Sequence, residues 1–158
     1  MAESRLVTPK LLFRRAAVAE AITWALLLVG MFLKYVTKTT ELGVQVFGMV
    51  HGVVFITYCL VTVATWTNQK WPARVGLLGL VSAIPPFATV LFDRRTEDTG
   101  QLEGPWRFSP GGERPSSLPE RALAWLTRNP VLAAVVAVVA VGGLTGVALF
   151  VGPPVAGS

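Results

Sequence analysis

The sequence has one cysteine, one histidine and few charged residues, since Asp, Glu, Lys and Arg make up only 15% of its 158 residues. A single cysteine excludes an intramolecular disulfide. A single histidine cannot supply both axial ligands of a bis-histidine haem, and with one cysteine it does not make a tetrahedral zinc site. A Gly-rich phosphate loop, a nucleophile elbow and an HExxH motif are also missing. We therefore expect no catalytic, cofactor-binding or metal-binding residues, and a protein that is not an enzyme.

The chain is rich in apolar residues, which form 53% of it and are gathered in long runs. A run of roughly 20 such residues crosses the hydrocarbon core of a bilayer as a helix. Four runs predict spans over about 13–35, 44–66, 75–92 and 131–152. The third run contains Pro85 and Pro86, which remove two backbone donors and predict a kink or a break. The pattern predicts an all-α polytopic membrane protein with a three-helix core, residues 1–95, and a fourth C-terminal transmembrane helix.

A polar stretch separates the third and fourth runs. Residues 96–116 are rich in Gly, Pro and charge, which predicts a flexible linker. Residues 117–129 have an amphipathic helical pattern, and Ser117 with Glu120 predicts a capping box at its start. Two interpretations remain open for this helix. It either lies on the membrane surface or extends the entry of the fourth span as far as Pro130.

The net charge of +5 does not indicate nucleic-acid binding, because the basic residues are dispersed at the ends of the predicted spans. Arg14 and Arg15 at the start of the first span favour a cytoplasmic N-terminus. Four full crossings would then place the linker outside, with eight basic residues outside and six inside. A third segment that enters the membrane and returns would remove this conflict.

Ionisable side chains inside apolar runs mark candidate functional sites, because they are costly to bury in a membrane. Glu20 and Lys34 lie 14 residues apart in the first run, on nearly the same helical face. His51 and Tyr58, seven residues apart, share a face of the second run. If the two spans are antiparallel, Glu20 and Tyr58 lie at similar depth, whereas His51 lies about 10 Å nearer the opposite surface.

Three interpretations of these polar residues remain open. Glu20 and Tyr58 form an interhelical hydrogen bond, with Ser82 or Thr57 as further members. Alternatively, Glu20 and His51 form part of a proton or ion path in an oligomeric transporter. In the third interpretation, the carboxylate or the histidine faces a partner subunit.

Small residues four apart recur in two of the runs. Gly48 and Gly52 occur in the second run and Gly142 and Gly146 in the fourth, at the spacing that lets helix backbones approach closely in lipid. The second-run pair predicts a face buried against protein. The fourth-run pair predicts either a docking face for a partner or second copy, or an ordinary Ala/Val/Gly anchor.

Seven short motifs occur in order along the first three runs: FR, AE, W, LL, KY, HG and IP. They are Phe13 and Arg14, Ala19 and Glu20, Trp24, Leu26 and Leu27, Lys34 and Tyr35, His51 and Gly52, and Ile84 and Pro85. Over about residues 11–95, this series resembles a family of small bacterial integral-membrane proteins of unknown function, well represented in actinobacteria. The resemblance implies a three-span core in the cell envelope and no catalytic residue. Residues 96–158 depart from that core.

These observations predict a non-enzymatic accessory or assembly subunit of a larger inner-membrane complex, by analogy a respiratory or transport complex. Its expected partners are the lipid bilayer and other integral-membrane subunits, or further copies of itself. The alternative is a small oligomeric proton-coupled transporter or channel that uses Glu20 and His51.

Overall fold

A computed structural model describes residues 7–151, and the part of the chain that it describes is all-helical, as predicted. It contains six α-helices, named here in chain order. They are α1 (Pro9–Met31), α2 (Leu42–Gln69), α3 (Ala73–Val81), α4 (Ala88–Asp98), α5 (Leu118–Arg128) and α6 (Pro130–Val151).

The first two helices form an antiparallel pair. Thr8 caps α1 by accepting a hydrogen bond from the Leu11 N–H, and Pro9 at the first position has no N–H that needs a partner. A short π-helical turn, Phe32–Val36, continues α1. Near the chain reversal, a Cβ placed on Gly30 would lie 2.7 Å from the backbone of Gly43, so the two helices touch there.

Aromatic residues form the core at the other end of this pair. The ring of Phe13 on α1 lies 5.7 Å from that of Tyr58 on α2, 5.8 Å from that of Trp71 and 6.0 Å from that of Phe92 on α4, measured between centroids. Leu102 is fully buried in the same cluster. We call this the proximal end of the bundle, and the end that holds residues 34–41 the distal end.

Three of the four predicted spans correspond to helices that are long and apolar enough to cross a membrane. These are α1 with its π-helical turn (Pro9–Val36), α2 (Leu42–Gln69) and α6 (Pro130–Val151). The third predicted span is not a single helix. It forms α3 and α4, with residues 82–87 between them and the predicted break at Pro85 and Pro86.

The α3–α4 hairpin enters and leaves at the proximal end. Trp71, just before α3, packs edge-on against Phe92 of α4 and donates a hydrogen bond to the carbonyl of Gln101, with 2.8 Å between Nε1 and O. The chain therefore turns back at the double proline instead of crossing. A full third crossing was the wrong expectation, because two adjacent prolines cannot continue the helix and Phe87 adopts a left-handed φ of 66°.

The segment between α4 and α5 also packs at the proximal end. The amide of Asn68, in the last turn of α2, donates to the carbonyl of Pro105 and accepts from the N–H of Arg107, at 3.3 and 2.9 Å. The expectation that three crossings separate this segment from the start of the first span is wrong, since the hairpin does not cross. The sequence could not show that Asn68 and Arg107 bind the predicted linker to α2.

Helices α5 and α6 complete the bundle. The predicted capping box is present: the Ser117 hydroxyl accepts from the Glu120 N–H, and the Glu120 carboxylate accepts from the Ser117 N–H. Leu123 and Ala124 of α5 pack on Phe108. Helix α6 then runs towards the distal end beside α2 and has no buried residue.

Candidate functional site

The carboxyl of Glu20 lies in the interior of the bundle, on α1 where it faces α4. The residue is fully buried, and its Oε2 accepts a hydrogen bond of 2.8 Å from the hydroxyl of Thr89. The same hydroxyl lies 3.0 Å from the carbonyl of Ala17, one turn earlier on α1. The other oxygen, Oε1, is buried without a hydrogen-bond partner among the described residues. One donor for a buried carboxyl is an incomplete set of partners.

Charged residues continue from Glu20 towards the proximal end. Asp93, one turn after Thr89 on α4, is 3% exposed, and its Oδ2 lies 3.2 Å from Nε of Arg14. Arg14 also pairs with Glu97, which in turn lies 2.9 Å from Nζ of Lys10. The second oxygen of Asp93, Oδ1, is buried and unpartnered within the described part of the chain. Two carboxyl groups at this interface thus each have a free oxygen.

His51 occupies a neighbouring position between α1 and α2. Its Nδ1 lies 3.0 Å from the hydroxyl of Thr23, which donates to the backbone carbonyl of Glu20 at 2.9 Å. Because the hydroxyl hydrogen is used in that bond, Nδ1 is the donor to Thr23, which assigns the proton of a neutral ring to Nδ1. The ring packs on Trp24 at 4.7 Å between centroids. His51 is therefore joined to the backbone of Glu20 and not to its carboxyl.

Tyr58 does not bind Glu20, contrary to the prediction. Its hydroxyl lies 3.0 Å from the carbonyl of Gly79 and 2.9 Å from Oγ of Ser82, at the end of α3. The physical reason is the break in the third segment, which leaves backbone carbonyls that need donors. Trp24 serves another of them, because its Nε1 donates to the carbonyl of Ala83 at 3.3 Å. The expected contact between Tyr58 and Ser82 is present.

Lys34 lies apart from this interior site. It is at the distal end, where its Nζ is 3.6 Å from a carboxylate oxygen of Glu41 and 5.4 Å from the ring centroid of Tyr35. The shared helical face with Glu20 does not bring the two residues together, because 14 residues of helix span about 21 Å.

The close helix contacts occur at glycines other than those singled out in the sequence. A Cβ on Gly48 would meet only Leu27, at 3.8 Å, and one on Gly52 would meet no atom within 4 Å. The tight approach of α1 and α2 uses Gly30 and Gly43 instead. On α6, Cβ atoms on Gly142 and Gly146 would likewise meet nothing within 4 Å.

Thr89, Asp93 and Arg14 also belong to the site, although the sequence alone did not predict them there. Arg14 and Asp93 are charges of opposite sign at the edges of two predicted spans, a pattern that suggests a pair. Thr89 carries no such signal, since threonines are common in these helices. Over residues 7–151, no group of three or more His, Cys, Asp or Glu side chains is arranged to hold a metal ion.

The geometry thus defines a multi-pass helical membrane protein with a buried polar interface between α1, α2 and α4. Residues 11–98 match the model of a family described as a domain of unknown function, DUF3817. The chain belongs to this family, in agreement with the motifs along its first three runs.

Two relatives come from different bacterial groups. SCO5905 of Streptomyces coelicolor is 46% identical over 94 residues, which are 59% of this chain and 11% of that protein. YdzA of Bacillus subtilis is 39% identical over 69 residues, which are 44% of this chain and 71% of that protein. The names of both relatives assign them to a membrane and state no activity. No solved structure matches the chain.

Proposed function

We propose that the protein is a non-enzymatic accessory or assembly subunit of a larger inner-membrane complex, of the kind found in respiration or transport. One observation carries the proposal. The segment matched in SCO5905 is only 11% of that protein, so there the module is part of a much longer polypeptide. A module that is covalently attached to a larger membrane protein in one bacterium is well suited to act as a separate subunit in another.

Helix α6 is the element that we assign to docking. It lies outside the family match, which ends at residue 98, and follows α5 and the segment that joins α4 to α5. No residue of α6 is fully buried within the chain, and the side that carries Gly142 and Gly146 offers bare backbone at the spacing that suits helix association. The proposed partner is a transmembrane helix of the larger complex.

Native purification in mild detergent tests this function. A stoichiometric set of larger membrane subunits is the expected result, and recovery of a homo-oligomer or monomer alone would contradict the proposal. The double variant Gly142→Leu/Gly146→Leu should insert normally and lose those subunits, because the added side chains hold the helix backbones apart. The matched control is Val136→Leu/Val147→Leu, which adds bulk on a different side of α6 and should leave the complex intact.

The second candidate, an oligomeric proton-coupled transporter or channel, is favoured by the buried Glu20 carboxyl with its unpartnered oxygen. In this function the protein purifies as a homo-oligomer. His51 would have to act through Thr23, because that hydroxyl is its hydrogen-bond partner on α1.

The distribution of basic residues supports a cytoplasmic proximal end. Of the 14 Lys and Arg residues, Lys34 and Lys38 lie at the distal end and Arg5 lies outside the described residues. The other eleven lie on the proximal side of the bundle: Lys10, Arg14, Arg15, Lys70, Arg74, Arg94, Arg95, Arg107, Arg114, Arg121 and Arg128. Such an excess of Lys and Arg is typical of cytoplasmic loops. The N-terminus and the segment before α5 are then both inside.

A further inference from the structure

Within residues 7–151, the Glu20 carboxyl forms no ion pair. The basic residues that precede it on α1 are Lys10, Arg14 and Arg15, of which Lys10 and Arg14 pair with other carboxylates. On α4 the carboxyl meets the hydroxyl of Thr89. An ionised carboxylate in an apolar interior is costly without a cation or several donors.

The other titratable groups near Glu20 do not offset a negative charge there. On α2, the Tyr58 hydroxyl binds Gly79 and Ser82, and neither a phenol nor the thiol of Cys59 can carry a positive charge. His51 binds Thr23, whose hydroxyl donates to the backbone carbonyl of Glu20. On α4, Asp93 is itself acidic. The surroundings therefore favour a carboxyl that holds a proton, and the unpartnered Oε1 is the atom that can carry it.

Polar and charged side chains extend from this carboxyl towards the proximal end. Exposure rises in that direction, from Glu20 at 0% and Asp93 at 3% to the side chains of Glu97 at 29% and Lys10 at 33%. Asp93, one turn after Thr89 on α4, has a buried Oδ1 without a hydrogen-bond partner among the described residues and is the next acidic side chain towards the proximal end. Towards the distal end, the next turns of α1 are apolar as far as Gly30, apart from Thr23 and the indole N–H of Trp24.

We propose that Glu20 is a proton-binding site that exchanges with the proximal end of the bundle through Thr89 and Asp93. In each exchange the Glu20 carboxyl gives its proton to the hydroxyl oxygen of Thr89, whose own hydrogen moves on to the Asp93 carboxylate or to water. Glu20 is then a carboxylate and takes up a proton again by the reverse step. His51 is not on this path. The assignment concerns the chemistry of the site, and it holds whether the protein acts as a subunit or as a transporter.

A lipid-soluble carbodiimide tests the site, because it reacts with protonated carboxyl groups. The carboxyl proton moves to a nitrogen of the reagent, the carboxyl oxygen bonds to its central carbon, and no atom leaves. The purified full-length protein in detergent is treated over a pH series, and peptide mass mapping locates the adduct. We expect the adduct on Glu20, with a yield that falls about tenfold for each pH unit above its midpoint.

Substitutions distinguish a proton-binding role of Glu20 from simple burial of its side chain. Glu20→Gln should lose the adduct, whereas His51→Gln and the distal control Glu41→Gln should keep it with an unchanged pH series. Asp93→Asn should slow the response of labelling to a pH jump by about tenfold or more, because the relay group is gone. In vesicles, the response should follow the pH on the proximal side only.

The position of the adduct in the wild-type protein tests the proposal even if a variant fails to fold. An adduct absent from Glu20 at every pH, or one whose yield does not change with pH, would overturn the proposal. A response that follows the distal pH, or one that Asp93→Asn leaves as fast as in the wild type, would overturn the proposed path. None of these results depends on whether larger subunits co-purify.

Discussion

Thr89 of α4 donates a hydrogen bond to the Glu20 carboxyl of α1, with 2.8 Å between Oγ1 and Oε2. The two residues are 69 positions apart, so this bond fixes where the returning arm of the hairpin lies against α1. Together with the Arg14–Asp93 pair one turn nearer the proximal end, it holds a segment too short and too interrupted to cross a membrane by itself.

Removing the Thr89 hydroxyl should destabilise the bundle. Thr89→Val keeps the shape and removes the hydrogen bond to the Glu20 carboxyl, so we expect a loss on the order of 0.6–2 kcal/mol in free energy of unfolding. Thermal unfolding in detergent measures it. The control is Thr57→Val, because the Thr57 hydroxyl donates only to the Val53 carbonyl of its own helix. Equal stability of the two variants would contradict the role given to Thr89.

Gly30 should tolerate no side chain. A Cβ there would lie 2.7–2.9 Å from backbone atoms of Gly43 and Val44, and backbone cannot move aside cheaply. Gly30→Ala should therefore cost about 1–3 kcal/mol of stability, as overpacking does. Gly52→Ala is the matched control, since its Cβ would meet nothing within 4 Å. If Gly52→Ala is as destabilising as Gly30→Ala, the close contact of α1 and α2 is not at Gly30 and Gly43.

Asn68 should hold the segment before α5 in place. Its side chain makes one hydrogen bond to Pro105 and one to Arg107, each worth about 0.5–1.5 kcal/mol. In Asn68→Ala, backbone amides over 101–113 should exchange hydrogen about tenfold faster or more. The neighbouring Gln69→Ala serves as control, because the Gln69 side-chain nitrogen has no hydrogen-bond partner among the described residues. Unchanged exchange in Asn68→Ala would mean that other contacts hold the segment.

Acid should loosen the start of α5. Hydrogen bonds from the hydroxyl and N–H of Ser116, and then from Ser117 and Arg107, lower the pKa of Glu120 to about 2. Hydrogen bonds from Lys70 and Arg107 also lower the pKa of Glu113. Because both folded-state pKa values lie below the unfolded value of about 4.3, this stabilisation is complete above about pH 4.3.

The stabilisation is then lost as the pH falls from about 4.3 towards the folded pKa values. Hydrogen exchange of residues 113–121 should accelerate over that interval in the wild type. In Glu120→Gln the acceleration should be smaller, since the amide does not titrate. Identical acid profiles for the two proteins would argue against Glu120 as the group responsible.

The sequence predicted the membrane-crossing helices and the break in the third run, but not the direction of the chain after the break. The long apolar runs around Trp24 and His51 and in α6 identified three crossing helices, because hydropathy and length suffice for that purpose. Pro85 and Pro86 indicated the break. They could not show that the chain turns back, since this depends on the packing of Trp71 against Phe92 and on donors such as Tyr58 for the freed carbonyls.

The partners of the polar residues were harder to predict. Helical periodicity placed Glu20 on an inward face and gave its depth, and depth alone suggested Tyr58 as its partner. The returning α4 brings Thr89 to the same depth, and Tyr58 is used by Gly79 and Ser82 instead. Likewise, the spacing of Gly48 and Gly52 suggested a close approach that the chain makes at Gly30 and Gly43, where no pair of glycines four apart occurs.

The sidedness of two single cysteines tests the central claim, that the hairpin returns and leaves both the N-terminus and the segment before α5 on one side. In a Cys59→Ala background, Arg114→Cys reports the proximal end and Glu41→Cys the distal loop, and both positions are exposed. A membrane-impermeant thiol reagent added to intact cells should label Glu41→Cys at once and Arg114→Cys only after the membrane is opened. Equal labelling of the two cysteines in intact cells would contradict the returning hairpin, and labelling of Arg114→Cys with Glu41→Cys protected would contradict a cytoplasmic proximal end.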